Sequence, residues 1–397
     1  MPERPASEGG SSGDGANESG PGSRVLLVDW GLAERLAIGL GGSGPEWDGT
    51  EEELRSESGR AAHLVRRYTG LRPKGRLPAA ELVDRGEWAR VNLESFQDLS
   101  ANVEERLEGR MKGSGGGRAS GLQRTIVRVA TGAEVGLTVG YLSQRVIGQY
   151  DVALIGPARA PRLLFVGPNL SAARARLEVD HDLFLRWIAL HETTHAVHFA
   201  AVPWLREHIG GIAEELFAKA AVEVKPSEIL GKLARLNPRE LLRSVKSGEL
   251  ATLLLPQDQR RLIDRLMAIM TLVEGYAEHV MDAVGHRLDP RYMDLRRALD
   301  RDRARRGLLD SIVSKVLGLE MKLAQYRRGK VFADEVVRAH GIRTLNRAWS
   351  GPDALPRPEE LDSPAEWVER VGPVRERSLF ALFRQRPLRP RADDQVV

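Results

Sequence analysis

The stretch FLRWIALHETTHAVHFAAVPWL, residues 184–205, decides how the chain is read. It is apolar on both sides of a short polar cluster and free of Gly or Pro until Pro203, the pattern of a buried or half-buried helix. Side chains four residues apart on a helix share one face, so His191 and His195 can present their rings to a common point. Glu192, one residue on, stands beside that point at an angle, where a carboxylate can take a proton from water without becoming a ligand. Polar groups in such apolar surroundings are costly unless paired or bound to a metal. His198 falls on the same face three residues after His195, so the polar stripe continues in register. The pattern predicts a metal held by His191 and His195, with Glu192 as the base of a metal-assisted hydrolysis.

A zinc ion that works on substrate takes three protein ligands and keeps one position open. The third ligand is expected in RLIDRLMAIMTLVEGYAEHVMDAVG, residues 261–285, where Leu262, Leu266, Ile269, Leu272, Val273, Val280 and Val284 recur at helical spacing. On this second buried helix Glu274, Glu278 and Asp282 fall four apart, and buried carboxylates are rare unless paired or metal-bound. Glu274 is assigned as the third ligand. Glu278 is expected to accept a hydrogen bond from the free ring nitrogen of a ligating histidine. Sequence leaves these two roles interchangeable. Gly275 predicts close approach of another backbone. Tyr276, His279 and His286 lie nearby as candidates to stabilise an oxyanion, with none preferred.

The chain has 397 residues and no cysteine, so disulfides, thiolate ligands and cysteine nucleophiles are excluded. A metal must then be held by His, Asp and Glu, which suits zinc with an open site, although other divalent ions accept the same donors. Residues 1–24 are rich in Gly, Ser and acidic groups and have no apolar core, which predicts a disordered leader and no signal peptide. No run reaches the roughly 18 apolar residues of a transmembrane helix. A soluble, cytoplasmic protein without an integral membrane segment is expected. The formal charge of +4 is small, and its main concentration is the Arg-rich tail, residues 372–397, containing RERSLFALFRQRPLRPRADDQVV. A short helix packed on its own domain and a disordered end are expected there. Neither an aromatic-rich RNA platform nor zinc-finger spacing is present, so nucleic acid is not expected as a partner. Oligomeric state is not readable.

The segments VDWGLAERLA, RVNLESFQDL, VIGQYDVAL, LLFVGPNL, HETTHAVHF with PWLREH, VEGYAEHVMDAVG, GLEMKLAQYRRGKVFADEVV and LNRAWSGPDALPRPEELDSPAEWVERV span most of residues 25–371. In this order the chain resembles a bacterial family of zincin-like, zinc-dependent metalloproteases, first grouped as a domain of unknown function. It is most similar to a branch associated with deazaflavin coenzyme biosynthesis. The resemblance implies Zn2+ at His191 and His195, Glu192 as general base, and an acidic helix beginning at Glu274. It departs from the family pattern at His198, where Gln is common, and at Tyr276, where His is common. It implies no particular substrate.

Between these motifs the glycine-rich KGSGGGRASG, residues 112–121, reads as a surface loop. Gly132, Gly136 and Gly140 predict a closely packed central helix. EWDGTEEELRSESGRAAHLVRRYTG is expected to cover the core from outside. LLFV is expected as a strand, and the resemblance implies that it lies beside the metal helix and edges the cleft, where its backbone could pair with an extended peptide. Residues 206–260 read as a helical insertion forming a wall or lid, LEMKLAQYRRGKVFADEVVRAHG as an amphipathic helix pair, and LNRAWSGPDALPRPEELDSPAEW as an extended surface segment. The expected fold is mainly α: one zincin-like metallohydrolase domain over residues 25–371, with a small strand element beside the HExxH helix. The expected function is zinc-dependent hydrolysis of an amide bond, most simply in a peptide. Two rivals remain: a non-catalytic scaffold whose metal is closed off by His198, Glu278 or Asp282, and a hydrolase of a small amide in coenzyme metabolism.

Overall fold

The computed structural model describes residues 28–111, 121–151, 159–223, 256–306 and 320–374. Residues 1–24, all but the last residue of the KGSGGGRASG loop, the tail beyond residue 374 and residues 224–255 of the expected insertion lie outside these. Helices dominate: α1 (Trp30–Gly41), α2 (Glu51–Thr69), α3 (Arg85–Met111), α4 (Gly121–Ser143), α5 (Gly167–Leu177), α6 (His181–Ala201) and α7 (Pro203–Glu223) precede α8 (Gln257–Leu288), α9 (Tyr292–Arg306), α10 (Glu320–His340), α11 (Ile342–Leu345) and α12 (Pro364–Val371). Three short strands, β1 (Ala80–Val83), β2 (Gly148–Asp151) and β3 (Arg162–Val166), form one sheet in the order β1-β3-β2. β3 runs parallel to β1 and antiparallel to β2.

The apolar run in β3 is explained by where its two faces go. Leu163 and Phe165 join a core with α2, α5 and α6, while Leu164 and Val166 join a second core with α1, α3 and α4. A strand buried on both faces needs no polar alternation. LLFV is therefore the central strand, and the expectation that it edges the cleft is wrong. The edge is β2, whose sequence GQYD is too short and polar to read as a strand in isolation.

Capping sets the main helix limits. Asp180 accepts from the Leu183 amide at 3.1 Å to start α6. Val202 closes it by donating back to His198, and Pro203 opens α7, where a missing amide proton costs nothing. Thr50 and Glu53 form a reciprocal capping box at the start of α2. α2 then packs along α6 with Leu54, Ala61 and Val65 fully buried, so it is part of the core and not merely a cover.

Two crossings depend on glycine. Added Cβ atoms on Gly132 and Gly136 would stand 2.6 and 2.5 Å from the carbonyl oxygens of Asp29 and Ala33, which places α4 directly against α1 as the small residues predict. At Gly275 a Cβ would lie 2.1 Å from the carbonyl carbon of Gly329, so α8 and α10 touch backbone to backbone, as expected for Gly275.

The C-terminal segment differs from the expected extended strap. Asn346–Ser350, Pro352–Ala354 and Glu359–Leu361 are 3₁₀ turns, and they anchor Trp349 and the fully buried Trp367 in the large core built on α8. Trp367 Nε1 donates to the Ala354 carbonyl at 2.9 Å, and Arg370 bonds both Glu360 oxygens at 2.7 Å. Buried tryptophan area outweighs the irregular backbone here. The expected helix pair is one long helix, α10, followed by the single turn α11.

Candidate metal centre

α6 and α8 pack together, and Arg186 of α6 ties them at one end by bonding Asp289, which closes α8, at 2.9 Å. Arg291 reaches the same carboxylate and holds its pKa at about 2. Between the helices, one donor atom each from His191, His195 and Glu274 falls within 4.8 Å of the others. His195 Nε2 lies 3.3 Å from His191 Nε2 and 3.6 Å from Glu274 Oε2. The sequence places these residues four apart on one helix and on a second helix far along the chain, and the fold brings them to one point. Two imidazoles and a carboxylate, with no fourth protein donor in the group among the described residues, match the donor chemistry of a zinc site with a free position. The residues present fit the metal.

His195 is buried, which by itself disfavours its charged form. The carboxylates of Glu274 and Glu192 outweigh that effect and hold its pKa above the ordinary histidine value. Glu192 is buried as well, and burial pushes its carboxyl up to about 7, against the opposing pull of His195 and of a hydrogen bond from the Tyr150 amide. A Cβ on Gly148 would lie 2.6 Å from Glu192 Cγ and 2.7 Å from Oε1. Only glycine at this point of β2 leaves room for the carboxylate. Gly148 and Tyr150 were not foreseen as site residues; the only signal was a glycine inside VIGQYDVAL.

β2 is an edge strand. Val166 donates to the Ile147 carbonyl at 2.9 Å, so by alternation Gln149 and Asp151 turn their main-chain groups toward β3. Gly148 and Tyr150 turn theirs away from it, toward α6. No other strand pairs with β2 on that side among the described residues.

The three candidate ligands, Glu192 and β2 all line one cleft of about 500 Å³. Asn92, Ser95, Gln149 and Asp151 contribute polar groups to it. Gln149 is held by donating to Asn92 Oδ1 at 3.1 Å. Burial pushes the Tyr150 phenol, at the same cleft, up to about 12.

Other expected residues go elsewhere. Glu278, expected to support a ligating histidine, pairs with Arg296 of α9, with Oε2 2.5 Å from Nη2. A guanidinium neutralises a buried carboxylate more fully than an imidazole N–H does. His191 Nδ1 meets the Met281 thioether at 3.2 Å. Asp282 pairs with Lys330 at 3.0 Å and accepts from Tyr292 at 3.1 Å. His198 is buried among Tyr276 and Trp349, with ring centroids 5.0 and 4.0 Å away, and burial pushes its pKa down to about 3. Tyr276 donates to Asn346 at 2.9 Å. His279 bridges Tyr68 and Asp334, each at 2.7 Å, and His286 is exposed. None of Tyr276, His279 and His286 lines the cleft.

No curated protein matches the chain. A solved structure from Chloroflexus aurantiacus, described as a candidate hydrolase with a novel fold, is 30% identical, with a TM-score of 0.61 over 87% of this chain and 98% of that one. No helix among the described residues is long and apolar enough to cross a membrane. A family model for zincin-like metallopeptidases matches residues 28–368, spanning both candidate ligand helices and the sheet. The chain belongs to the zincin-like metallopeptidase family.

Proposed function

We propose that this chain is a zinc-dependent peptidase in which His191, His195 and Glu274 hold the metal and Glu192 is the general base. The carrying observation is that a three-donor group and a buried carboxylate share one cleft with a strand edge that no other strand among the described residues covers. Zinc, when bound, supplies a Lewis acid that polarises a carbonyl and acidifies water. Glu192 accepts a proton at its carboxylate and returns it to the departing amine, and a carboxyl pKa near neutrality suits both transfers. The Tyr150 amide and the glycine at 148 fix where that carboxylate stands. Apart from the Tyr150 amide, which Glu192 holds, the outward main-chain groups of β2 suit pairing with an extended peptide, which favours a peptide over a small amide of coenzyme metabolism. The scaffold alternative loses support because Glu278, Asp282 and His198 have other surroundings than the donor group.

The test is Glu192→Gln in zinc-loaded protein against a mixed peptide library. Cleavage should fall by at least ~10²-fold at unchanged zinc content. Full activity in that variant would remove Glu192 from the reaction.

A further inference from the structure

The helices that carry the donor group also carry an apolar wall of the cleft, bordered by Ser95 of α3 and by the Tyr150 ring, 6.2 Å from that of Phe199. Phe199 is four residues after His195 on α6, and Met270 is four residues before Glu274 on α8. Four residues is one helical turn, so each lies next to a candidate ligand on its own helix face. Both line the cleft on the same side, which the antiparallel approach of α6 and α8 permits. Val273 adds to the wall from α8. Ile209 and Ala213, again four apart, close it from α7, and Phe96 and Leu99 close it from α3. Phe96 is 40% exposed, a large aromatic presented to the cleft and not to the interior. The polar residues Asn92, Gln149 and Asp151 sit instead with β2 and the α3 turn beside it.

From this apolar wall we infer that the site takes peptides carrying a bulky apolar side chain, leucine- to phenylalanine-sized, next to the bond that is cleaved. The substrate main chain lies along β2, and the side chain is received between Phe199, Met270, Ile209 and Ala213. This inference rests on the peptidase proposal and adds the substrate class. An aliphatic or aromatic group transferred to such a wall leaves water, whereas a charged side chain placed against Phe199, Met270 and Ile209 would lose its hydration. Ala213 is the one small residue on the α7 wall, so it sets the depth available.

The experiment measures binding to the zinc-loaded full chain of two probe series by titration calorimetry. One series is the acetyl-amino-acid hydroxamates of Gly, Leu, Phe and Asp, and the other is the malonyl-hydroxamate amides of the same amino acids. In at least one series Leu and Phe should bind about 10- to 100-fold more tightly than Gly, as expected for burying one apolar side chain, and Asp no better than Gly. Ala213→Trp should bring the Leu/Gly and Phe/Gly ratios to near one, and Met270→Ala should raise Phe relative to Leu. Zinc content and helical circular dichroism are measured for each variant, so a variant that misfolds is set aside and the other decides. Zinc-loaded wild type that binds all four side chains equally in both series would overturn the inference while leaving the metal site standing. A chain that binds no zinc would overturn the peptidase proposal itself, and the inference with it.

Discussion

Glu274 and Glu278 stand one turn apart on α8 and meet opposite surroundings. Glu274 points at His195 in an open cleft, whereas Glu278 is buried against Arg296, itself only 14% exposed. Around the second face Asp282, Lys330, Asp334, His279 and Tyr68 continue as a chain of ion pairs and hydrogen bonds joining α2, α8, α9 and α10. One face of the helix leaves donor atoms near each other for an ion to satisfy; the other satisfies its carboxylates with cations from neighbouring helices. The cations decide the fate of each carboxylate, and they lie on other elements.

The sharpest way to break this contrast is to remove each carboxylate in turn. Glu274→Ala should lose bound zinc by more than the roughly 10- to 100-fold that an outer-sphere partner commands, with little change in folding, as read by metal analysis and urea denaturation. Glu278→Ala should do the reverse, keeping zinc within about 10-fold but losing about 2–3 kcal/mol of stability, because it leaves the buried Arg296 only the more distant Asp282, 3.9 Å away. Zinc lost with Glu278 and kept with Glu274 would invert the assignment.

A smaller effect is expected at the strand that borders the open face. Gly148→Ala should lower peptide cleavage by about 10- to 100-fold by displacing Glu192, with zinc content unchanged. Normal cleavage in that variant would show that the carboxylate adapts and that β2 does not position it.

The smallest effect concerns the clamp between the two helices. Asp289 has its folded pKa depressed to about 2 by Arg291 and Arg186, so its contribution is present above the unfolded carboxylate value and lost as pH falls through about 2. Asp289→Asn should therefore cost roughly 1–2 kcal/mol at pH 7 and progressively less below about pH 4. A deficit that stayed constant down to pH 2 would assign the loss to packing and not to charge.

How much of this was legible follows from whether a feature is local. The histidine pair and Glu192 are readable because helix periodicity fixes their geometry within five residues. Gly132, Gly136, Gly140 and Gly275 are readable because close backbone approach requires glycine wherever the partner lies. β2 was illegible, since GQYD becomes a strand only by pairing with β3. The role of Glu278 was illegible because Arg296 reaches it from the following helix. Trp349 and Trp367 were misjudged because proline-rich sequence signals irregular backbone, not exposure. The likeness to zincin-like proteins supplies the overall class, and neither the strand edge nor the ion network.

The contact of Gly275 with Gly329 has one more consequence. With no side chains between them, the two helices have nothing compressible at their crossing, and Glu274 is attached to the next residue of α8. Amide protons around this point should exchange with solvent only when the whole domain opens, while those of the cleft rim exchange through smaller fluctuations. The donor group is thus mounted next to a crossing where two backbones meet directly, so its geometry is tied to the packing of the two helices.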